Sequence, residues 1–279
     1  MKDFKNRVAA ITGASSGIGR ALALDLAKRG CHLALASNSN LKALAETAAM
    51  ATELGVTVTS QRVDVAQRSA VEAWARKVVA DHGRVNLIVN NAGVAHAGTV
   101  LGSEIADYEW VMGVNYWGVV YGTKAFLPLL IESGEGHVVN VSSVFGLFAQ
   151  PAMSAYNSSK FAVRGFTESL RQELDLARNG VSATCVHPGG VKTNIAVNGR
   201  FSASVSDVTG SNGNKSRDAF EMLLRTTPET AAKAIVAGIR RDARRVLIGI
   251  DARAGDGMQR LLPSRYQDLV TGAMRLIKR

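Results

Sequence analysis

The sequence predicts an α/β protein built on one doubly wound parallel sheet of about seven strands, with helices on both faces. Short apolar runs, many of them rich in valine, alternate with longer segments of helical period along the chain. Most runs are apolar at consecutive positions, which is typical of strands buried on both faces of a parallel sheet. Alternating strands and helices favour right-handed crossovers, which place a helix layer on each side of the sheet.

Seven runs are predicted as strands. In chain order they are residues 7–11, 31–36, 56–63, 85–90, 137–142, 181–187 and 246–250. Of the 279 residues, 47% are hydrophobic and 20% are charged, a mixture that supports one buried core and a single domain. Ligands bind such sheets beyond the carboxyl ends of the strands, so the residues just after each strand are the candidates for chemistry.

Charge, cysteines and histidines argue against several function classes. The net charge is +10, but it concentrates in residues 240–279, which hold ten Lys or Arg and four Asp or Glu. The nearly balanced main body does not favour a specific nucleic-acid partner. Cys31, Cys185 and the five histidines show no metal-ligand spacing, so we expect no metal site and two reduced core cysteines. We find no spanning apolar run and no signal peptide, which favours a cytoplasmic protein.

A glycine-rich turn follows the first predicted strand. Residues 12–19 read TGASSGIG and are followed by the helical run RALALDLAKRG. Such a turn suits a pyrophosphate, because glycine lets the backbone approach closely and the first N–H groups of the helix meet the negative charge. The spacing predicts a Rossmann-type dinucleotide fold, a chance glycine-rich turn being the alternative. The candidate cofactor contacts in it are Gly13, Ser15, Ser16, Gly17, Ile18 and Gly19.

The TGxxxGIG pattern resembles the classical short-chain dehydrogenase/reductase family, and other signatures of that family follow in register. They are NNAG at residues 90–93, NYWG at 115–118, Ser143 with Tyr156 and Lys160, and PGGVKT at 188–193. The resemblance covers about the first 195 residues and the TPETAAKAI segment near Ala234. It implies an NAD(P)-dependent oxidoreductase that acts on CH–OH donors. Dimers or tetramers are common in this family.

Tyr156 and Lys160 are the centre of the predicted chemistry. Four residues apart on a helix, their side chains share one face. A tyrosine pKa of about 10 is high for a base, and a neighbouring ammonium favours the phenolate, so we expect Lys160 to lower the pKa of Tyr156. Tyr156 then serves as general acid/base, a role that the resemblance also implies. The alternative is an ordinary helix-surface pair.

Two further residues complete the predicted catalytic set. Ser143 lies thirteen residues before Tyr156, where its hydroxyl can bond the substrate oxygen. Ser142 is the alternative. The resemblance favours Ser143, since the serine of that family stands thirteen residues before its tyrosine, and adjacent residues of a strand point to opposite faces. The resemblance implies that Asn115 holds a water linking Lys160 to solvent.

The cofactor type depends on the end of the second strand. An acid there bonds the adenosine ribose and repels a 2′-phosphate, but this chain has Ser37 in that place. The basic residue typical of NADP-preferring relatives is missing at Ser16 and Asn38, which leaves Arg20 and Lys42 nearby. We therefore favour NADP over NAD.

Other cofactor contacts are implied by the resemblance. Asp64 and Val65 match its adenine contact, although Asp64 also suits the N-cap of a helix beginning near Gln67. The remaining implied contacts are Ser37, Asn38, Asn91, Ala92, Gly93, Tyr156, Lys160, Pro188, Gly189, Val191 and Thr193.

Apolar residues at the strand ends predict a lipophilic ketone or secondary alcohol as substrate. Ser143, Phe145 and Tyr156 are the candidate substrate contacts, and the wider apolar set is Val94, Val144, Leu147, Phe148, Ala149, Met153, Ile195 and Phe201. For each of these, packing in the core is the alternative. The Ser-, Gly- and Asn-rich residues 198–218 predict a mobile loop, within a substrate lid at 194–220 or as a plain surface insertion.

We divide the chain into a dinucleotide-binding catalytic domain, residues 1–257, and a basic amphipathic C-terminal extension, residues 258–279. Such a helix packs on its own protein or on another subunit more often than on a membrane surface, so peripheral membrane contact is not favoured. The predicted function is interconversion of a lipophilic alcohol and ketone. The alternative is a non-catalytic nucleotide-sensing or scaffold protein that uses the same cofactor pocket.

Overall fold

Strands and helices alternate along the chain. The computed structural model describes residues 1–195, 198–210 and 225–277. Within them the strands are β1 Val8–Thr12, β2 His32–Ser37, β3 Val58–Arg62, β4 Leu87–Asn90, β5 His96–Ala97, β6 Gly136–Val141, β7 Val181–Pro188, β8 Arg200–Phe201 and β9 Arg245–Ile248. The helices are α1 Gly17–Ala27, α2 Leu41–Thr52, α3 Arg68–His82, α4 Ile105–Met112, α5 Gly118–Glu132, α6 Ser154–Ala177, α7 Val205–Thr209, α8 Pro228–Arg240, α9 Ile250–Leu261 and α10 Tyr266–Ile277.

Seven of these strands form one sheet in the order β3-β2-β1-β4-β6-β7-β9, and every neighbouring pair is parallel. The predicted doubly wound sheet is therefore confirmed. All seven predicted strands are present, with ends that differ from the prediction by at most two residues. The strand order reverses between β1 and β4, which opens a crevice at their carboxyl ends.

Side chains of one strand alternate between two cores, because successive residues of a strand face opposite sides of the sheet. On β1, Ala9 and Ile11 belong to a core that includes Leu22 and Ile235 of α1 and α8. Val8 and Ala10 belong to a second core that includes Trp74, Phe126 and Leu170 of α3, α5 and α6. Both faces of the central strands are thereby covered, which accounts for runs that are apolar at consecutive positions, such as β1 and β4.

The structure corrects the prediction of local structure for part of the segment after β7. Within residues 198–210, predicted as loop, lie β8 and α7, and β8 pairs with β5 in a separate two-stranded sheet; residues 211–218 lie outside the described residues. The domain boundary predicted between residues 257 and 258 falls inside α9. Tyr266 beyond it is buried, so this part of the C-terminal segment belongs to the same packed unit. No described helix combines the length and apolar character needed to cross a membrane.

Candidate active site

The turn between β1 and α1 suits a phosphate. Gly13 and Gly17 adopt φ values of 66° and 54°, which glycine tolerates without steric cost. A Cβ on Gly19 would overlap the carbonyl oxygen of Gly13 and lie 2.7 Å from Nδ2 of Asn91. The side chain of Ser16 makes no capping bond to α1, so the first N–H groups of this helix keep their capacity for an anion.

The end of β4 is bonded to the end of β1 beside this turn. Oγ1 of Thr12 accepts the N–H groups of Asn91 and Ala92, each at 3.0 Å. The side chain of Asn91 donates to the carbonyls of Thr12 and Gly13, at 2.9 and 3.3 Å. Asn91, Ala92 and Gly93, predicted as a backbone platform, therefore lie at the crevice where the strand order reverses.

The segment after β7, predicted to bind the nicotinamide, also reaches the turn. Pro188 ends β7, and the N–H of Gly189 donates to the carbonyl of Ile248 at 2.9 Å. Val191 is buried. A Cβ on Gly17 would lie 2.9 Å from Cγ2 of Thr193, so Thr193 faces the start of α1. The glycine turn, the platform and this segment together surround one crevice.

The adenosine side of the crevice has hydroxyls at the end of β2. Ser37 is buried, and its Oγ donates to Oγ of Ser15 at 3.0 Å. Beyond β3, a carboxylate oxygen of Asp64 accepts the N–H of Ala66 at 3.0 Å. The N-cap residue of α3 is Gln67. The alternative in which Asp64 caps this helix is therefore wrong, because its carboxylate closes a turn ahead of the helix.

Tyr156 and Lys160 lie near the start of α6 and are both buried, with exposures of 8% and 3%. Nζ of Lys160 donates to the carbonyl of Val141 at 3.0 Å and lies 5.7 Å from the centroid of the Tyr156 ring. Burial raises the pKa of Tyr156, and a hydrogen bond with Ser143 opposes the rise. The lowering of this pKa that the sequence predicts is not the net result: burial outweighs it, and Nζ of Lys160 is bonded to the carbonyl of Val141.

Ser143 is oriented toward Tyr156 by the backbone around it. It is the N-cap residue of a 3₁₀ turn at Val144–Gly146, and its Oγ accepts the N–H of Phe145 at 3.2 Å. Ser142 instead donates its hydroxyl to the carbonyl of Lys160 at 2.7 Å. The alternation expected for adjacent strand residues therefore separates the two serines, and Ser143 shares the side of Tyr156.

Asn115 lies in a π-helical turn, Gly113–Trp117, between α4 and α5. It is fully buried. Its Oδ1 accepts the N–H of Val94 at 2.8 Å, and its Nδ2 donates to the carbonyl of Val94 at 2.9 Å and to Oγ of Ser159 at 3.0 Å. A Cβ on Gly93 would lie 3.3 Å from Oδ1 of Asn115 and 3.5 Å from Nζ of Lys160. Asn115 and Lys160 therefore approach the same point of the platform.

An apolar cluster packs around the Tyr156 ring. Its other members are Ala95, Ala97, Met153 and Val205, with Phe145, Ile195 and Phe201 partly buried against them. Four residues of the predicted apolar set, Phe145, Met153, Ile195 and Phe201, thus share one cluster with Tyr156. Leu147, from the same predicted set, is only 1% exposed. Its side chain is therefore packed in the core, which was the alternative for each residue of that set.

Aromatic rings continue from this cluster to the C-terminal helix. The Phe145 ring lies edge-on to Tyr156, 6.4 Å between centroids, and 5.6 Å from Phe148. Phe148 lies 6.0 Å from Tyr266 of α10. The hydroxyl of Tyr266 accepts the N–H of Ala149 at 3.2 Å. The loop that follows Ser143 is therefore packed against α10.

The described residues include no group of three or more His, Cys, Asp or Glu side chains arranged to hold a metal ion. A family model described as short chain dehydrogenase matches residues 7–201. The chain belongs to the short-chain dehydrogenase/reductase family. Membership makes it an oxidoreductase of an NAD(P)-dependent family, in agreement with the crevice beside its glycine turn.

Relatives of this short-chain dehydrogenase cover almost its full length. SadH of Mycobacterium tuberculosis, named as an oxidoreductase, is 50% identical over 275 residues, which cover 98% of this chain and 97% of SadH. A solved short-chain dehydrogenase/reductase of Burkholderia phymatum, in complex with NAD, is 30% identical with a TM-score of 0.83 and covers 96% of both chains. A solved levodione reductase is 28% identical with a TM-score of 0.77, over 90% of this chain and 98% of that one.

Sequence reasoning missed several residues that shape the site of this short-chain dehydrogenase. Ser159 joins Asn115 to α6 by donating to the carbonyl of Tyr156 at 2.8 Å. His187 is fully buried, and its Nδ1 donates to the carbonyl of Ser143 at 2.9 Å. Tyr266 lies more than a hundred residues from the loop it contacts. Only the three-dimensional contacts identify these roles, since none of the three stands in a spacing that indicates chemistry.

Proposed function

We propose that this protein interconverts a lipophilic secondary alcohol and the corresponding ketone, with NADP as cofactor and Tyr156 as general acid/base. The observation that carries the proposal is the position of the Tyr156 phenol. It is hydrogen-bonded to Ser143, close to Lys160 and enclosed by an apolar cluster. These groups lie on the same sheet edge as the glycine turn, whose close approaches leave room for a pyrophosphate and not for a side chain. When bound, the nicotinamide supplies or accepts the hydride.

In ketone reduction, Tyr156 donates the proton. Its raised pKa keeps the phenol protonated at neutral pH, as a proton donor requires. Ser143 donates a hydrogen bond to the same substrate oxygen and stabilises the negative charge that develops there. Because His187 holds the Ser143 carbonyl, the serine keeps its orientation during the reaction.

In alcohol oxidation, Lys160 stabilises the phenolate form of Tyr156, which accepts the hydroxyl proton of the substrate and becomes the neutral phenol. Burial lowers the pKa of Lys160 to about 8, so its ammonium is present at neutral pH. Asn115 and Lys160 meet at the Gly93 platform, which places the amide where a water can link the ammonium to solvent. In our proposal the proton that Tyr156 gains in oxidation leaves to solvent by this route, and in reduction a proton returns to Tyr156 by the same route.

The substrate class follows from the surroundings of Tyr156. Aliphatic and aromatic side chains dominate them, and such a wall favours a ligand with a large apolar body and one polar oxygen. The similarity to a levodione reductase is in keeping with a reductase. For the cofactor, the chain has Ser37 and not an acidic residue at the end of β2, so no carboxylate at that position repels a 2′-phosphate.

We also propose a cytoplasmic homodimer or homotetramer. Members of the family are typically oligomeric. The helices that carry Asn115 and Tyr156 leave two large aromatic side chains in solvent, Trp117 at 46% and Phe161 at 39% exposure. Covering them against a second copy removes apolar surface from water. Sedimentation equilibrium of the purified protein checks the assembly, and a monomer at all concentrations contradicts it.

The decisive experiment replaces Tyr156 by phenylalanine. The Tyr156→Phe protein is expected to bind NADPH as the wild type does and to lose about a hundredfold to ten-thousandfold in ketone reduction, as is typical when a general acid is removed. Tyr121→Phe is the matched control, because Tyr121 stacks on Trp117 at 5.7 Å outside the apolar cluster. Undiminished turnover of Tyr156→Phe contradicts the proposed role.

The substrate class is identified by assaying a panel of hydrophobic ketones and secondary alcohols with NADPH, NADH and their oxidised forms. Turnover is followed through the absorbance of reduced nicotinamide. We expect activity to increase with the apolar surface of the substrate. Cofactor binding without turnover of any panel member would instead favour a nucleotide-sensing or scaffold protein.

A further inference from the structure

An arginine that the sequence analysis left unassigned lies at the adenosine side of the crevice. Arg62 ends β3 and pairs in register with Ser37, the last residue of β2. Its Nε donates to Oδ1 of Asn38 at 3.2 Å. The guanidinium is thereby fixed beside the residue that follows Ser37, although it comes from the neighbouring strand.

The other arginine near this place is bonded elsewhere. Nε of Arg20 donates to Oγ1 of Thr47 at 2.8 Å, and its Nη2 donates to the carbonyl of Ala43 at 2.8 Å and to Glu46 at 3.3 Å. These contacts direct Arg20 at α2. Arg62, in contrast, is exposed, and no Asp or Glu among the described residues forms an ion pair with it. Its positive charge is therefore available to a ligand.

We propose that Arg62, held by Asn38, binds a phosphate monoester on the adenosine ribose together with the hydroxyls of Ser37 and Ser15. The proposal rests on the proposed function, since it assigns the 2′-phosphate of NADP to these residues. Bonding of Nε to Asn38 leaves the terminal nitrogens of the guanidinium for phosphate oxygens, which arginine binds in a bidentate manner. The hydroxyl pair of Ser37 and Ser15, 3.0 Å apart, adds donors at the end of β2.

This arrangement explains how the chain selects NADP with no basic residue at position 16 or 38. A charge-assisted hydrogen bond to a phosphate stabilises the complex of NADP, whereas NAD has no group for Arg62 to bind. Asn38 thus acts through Arg62 as a positioning residue. Loss of the Arg62 side chain is expected to weaken the binding of NADP and to leave the binding of NAD unchanged.

The test is a calorimetric titration, which measures binding without turnover. Wild type, Arg62→Ala and Arg62→Lys are titrated with NADP⁺ and NAD⁺, and then with adenosine 2′,5′-bisphosphate and ADP as fragments. Arg29→Ala is the matched control: Arg29 carries the same charge, pairs with Asp25 at 2.9 Å and lies near the other end of β2, three residues before its first residue. Thermal unfolding of each variant monitors the fold.

We expect wild type to bind NADP⁺ more tightly than NAD⁺, and Arg62→Ala to lose about tenfold or more in affinity for NADP⁺ and the bisphosphate. Affinities for NAD⁺ and ADP stay within about twofold in that variant, Arg29→Ala matches wild type, and Arg62→Lys lies between. Equal losses of affinity for both dinucleotides, or no loss of affinity for NADP⁺, overturn only the assignment of Arg62 and leave the proposed function standing. Wild-type protein that binds neither dinucleotide overturns the proposed function as well.

Discussion

Burial, more than pairing, sets the protonation of the two central side chains. It raises the pKa of Tyr156 and lowers that of Lys160 to about 8, since removal from water disfavours the charged form of either group. Below about pH 8 the protein therefore holds a neutral phenol beside a cation. With the proposed function, that pair is the state that donates a proton in ketone reduction.

The charge of Lys160 predicts a pH dependence of the reaction. Lys160 is protonated below its lowered pKa and loses its charge as the pH rises through about 8. Ketone reduction, measured as kcat/KM, is expected to be level on the neutral side and to fall above about pH 8. Lys160→Met should show low activity without that fall. A wild-type profile that stays level well above pH 8 contradicts a role for the ammonium.

At the scale of elements, α9 and α10 hold the loop that follows Ser143. A Cβ on Gly255 of α9 would lie 3.0 Å from Cδ1 of Phe148, so this glycine makes room for the ring. Tyr266 of α10 contacts the same ring and accepts the N–H of Ala149. The described part of the basic C-terminal segment thus packs against this loop, and with the proposed function it forms a wall of the substrate side.

Tyr266 tests that role. Tyr266→Phe removes only the acceptor for Ala149 and is expected to cost about 1 kcal/mol of stability. Tyr266→Ala also removes the ring against Phe148, so the loop loosens and KM for a bulky ketone rises by more than kcat falls. Leu269→Ala, at a 54% exposed position of the same helix, is the control. Steady-state kinetics with thermal unfolding measure both effects, and an unchanged KM in Tyr266→Ala argues against the wall.

The same elements show what the sequence reveals and what it does not. The strands and the glycine turn can be predicted from the sequence because apolar runs and glycine spacings are local features. The alternation of side chains along a strand is enough to separate Ser143 from Ser142. The β5–β8 pair and the π-turn at Asn115 were missed, because a two-residue strand and one extra residue in a helical turn leave no periodic signal. Arg62 and Tyr266 act across strands and helices, so their roles appear only once the chain is folded.

At the scale of the whole molecule, the sheet holds two histidines in its interior. His137 on β6 bonds Oγ1 of Thr184 at 2.8 Å, and His187 on β7 bonds the Ser143 carbonyl. Burial lowers their pKa values to about 3 and about 4, respectively. Both rings are therefore neutral in the folded protein at neutral and mildly acidic pH, and one of them bonds the carbonyl of Ser143 at the sheet edge.

Folding is consequently linked to pH through these two rings. Their pKa values are lower in the folded than in the unfolded chain, so below about pH 6.5 the unfolded chain binds protons that the folded chain does not. The free energy of unfolding therefore decreases as the pH is lowered, by up to about 1.4 kcal/mol per pH unit for each histidine. Denaturant titrations between about pH 7 and pH 5 measure this slope above the range of most carboxylates. His137→Asn and His187→Asn are each expected to be less stable at pH 7 and to show a shallower slope; slopes equal to that of wild type would mean that neither ring carries the linkage.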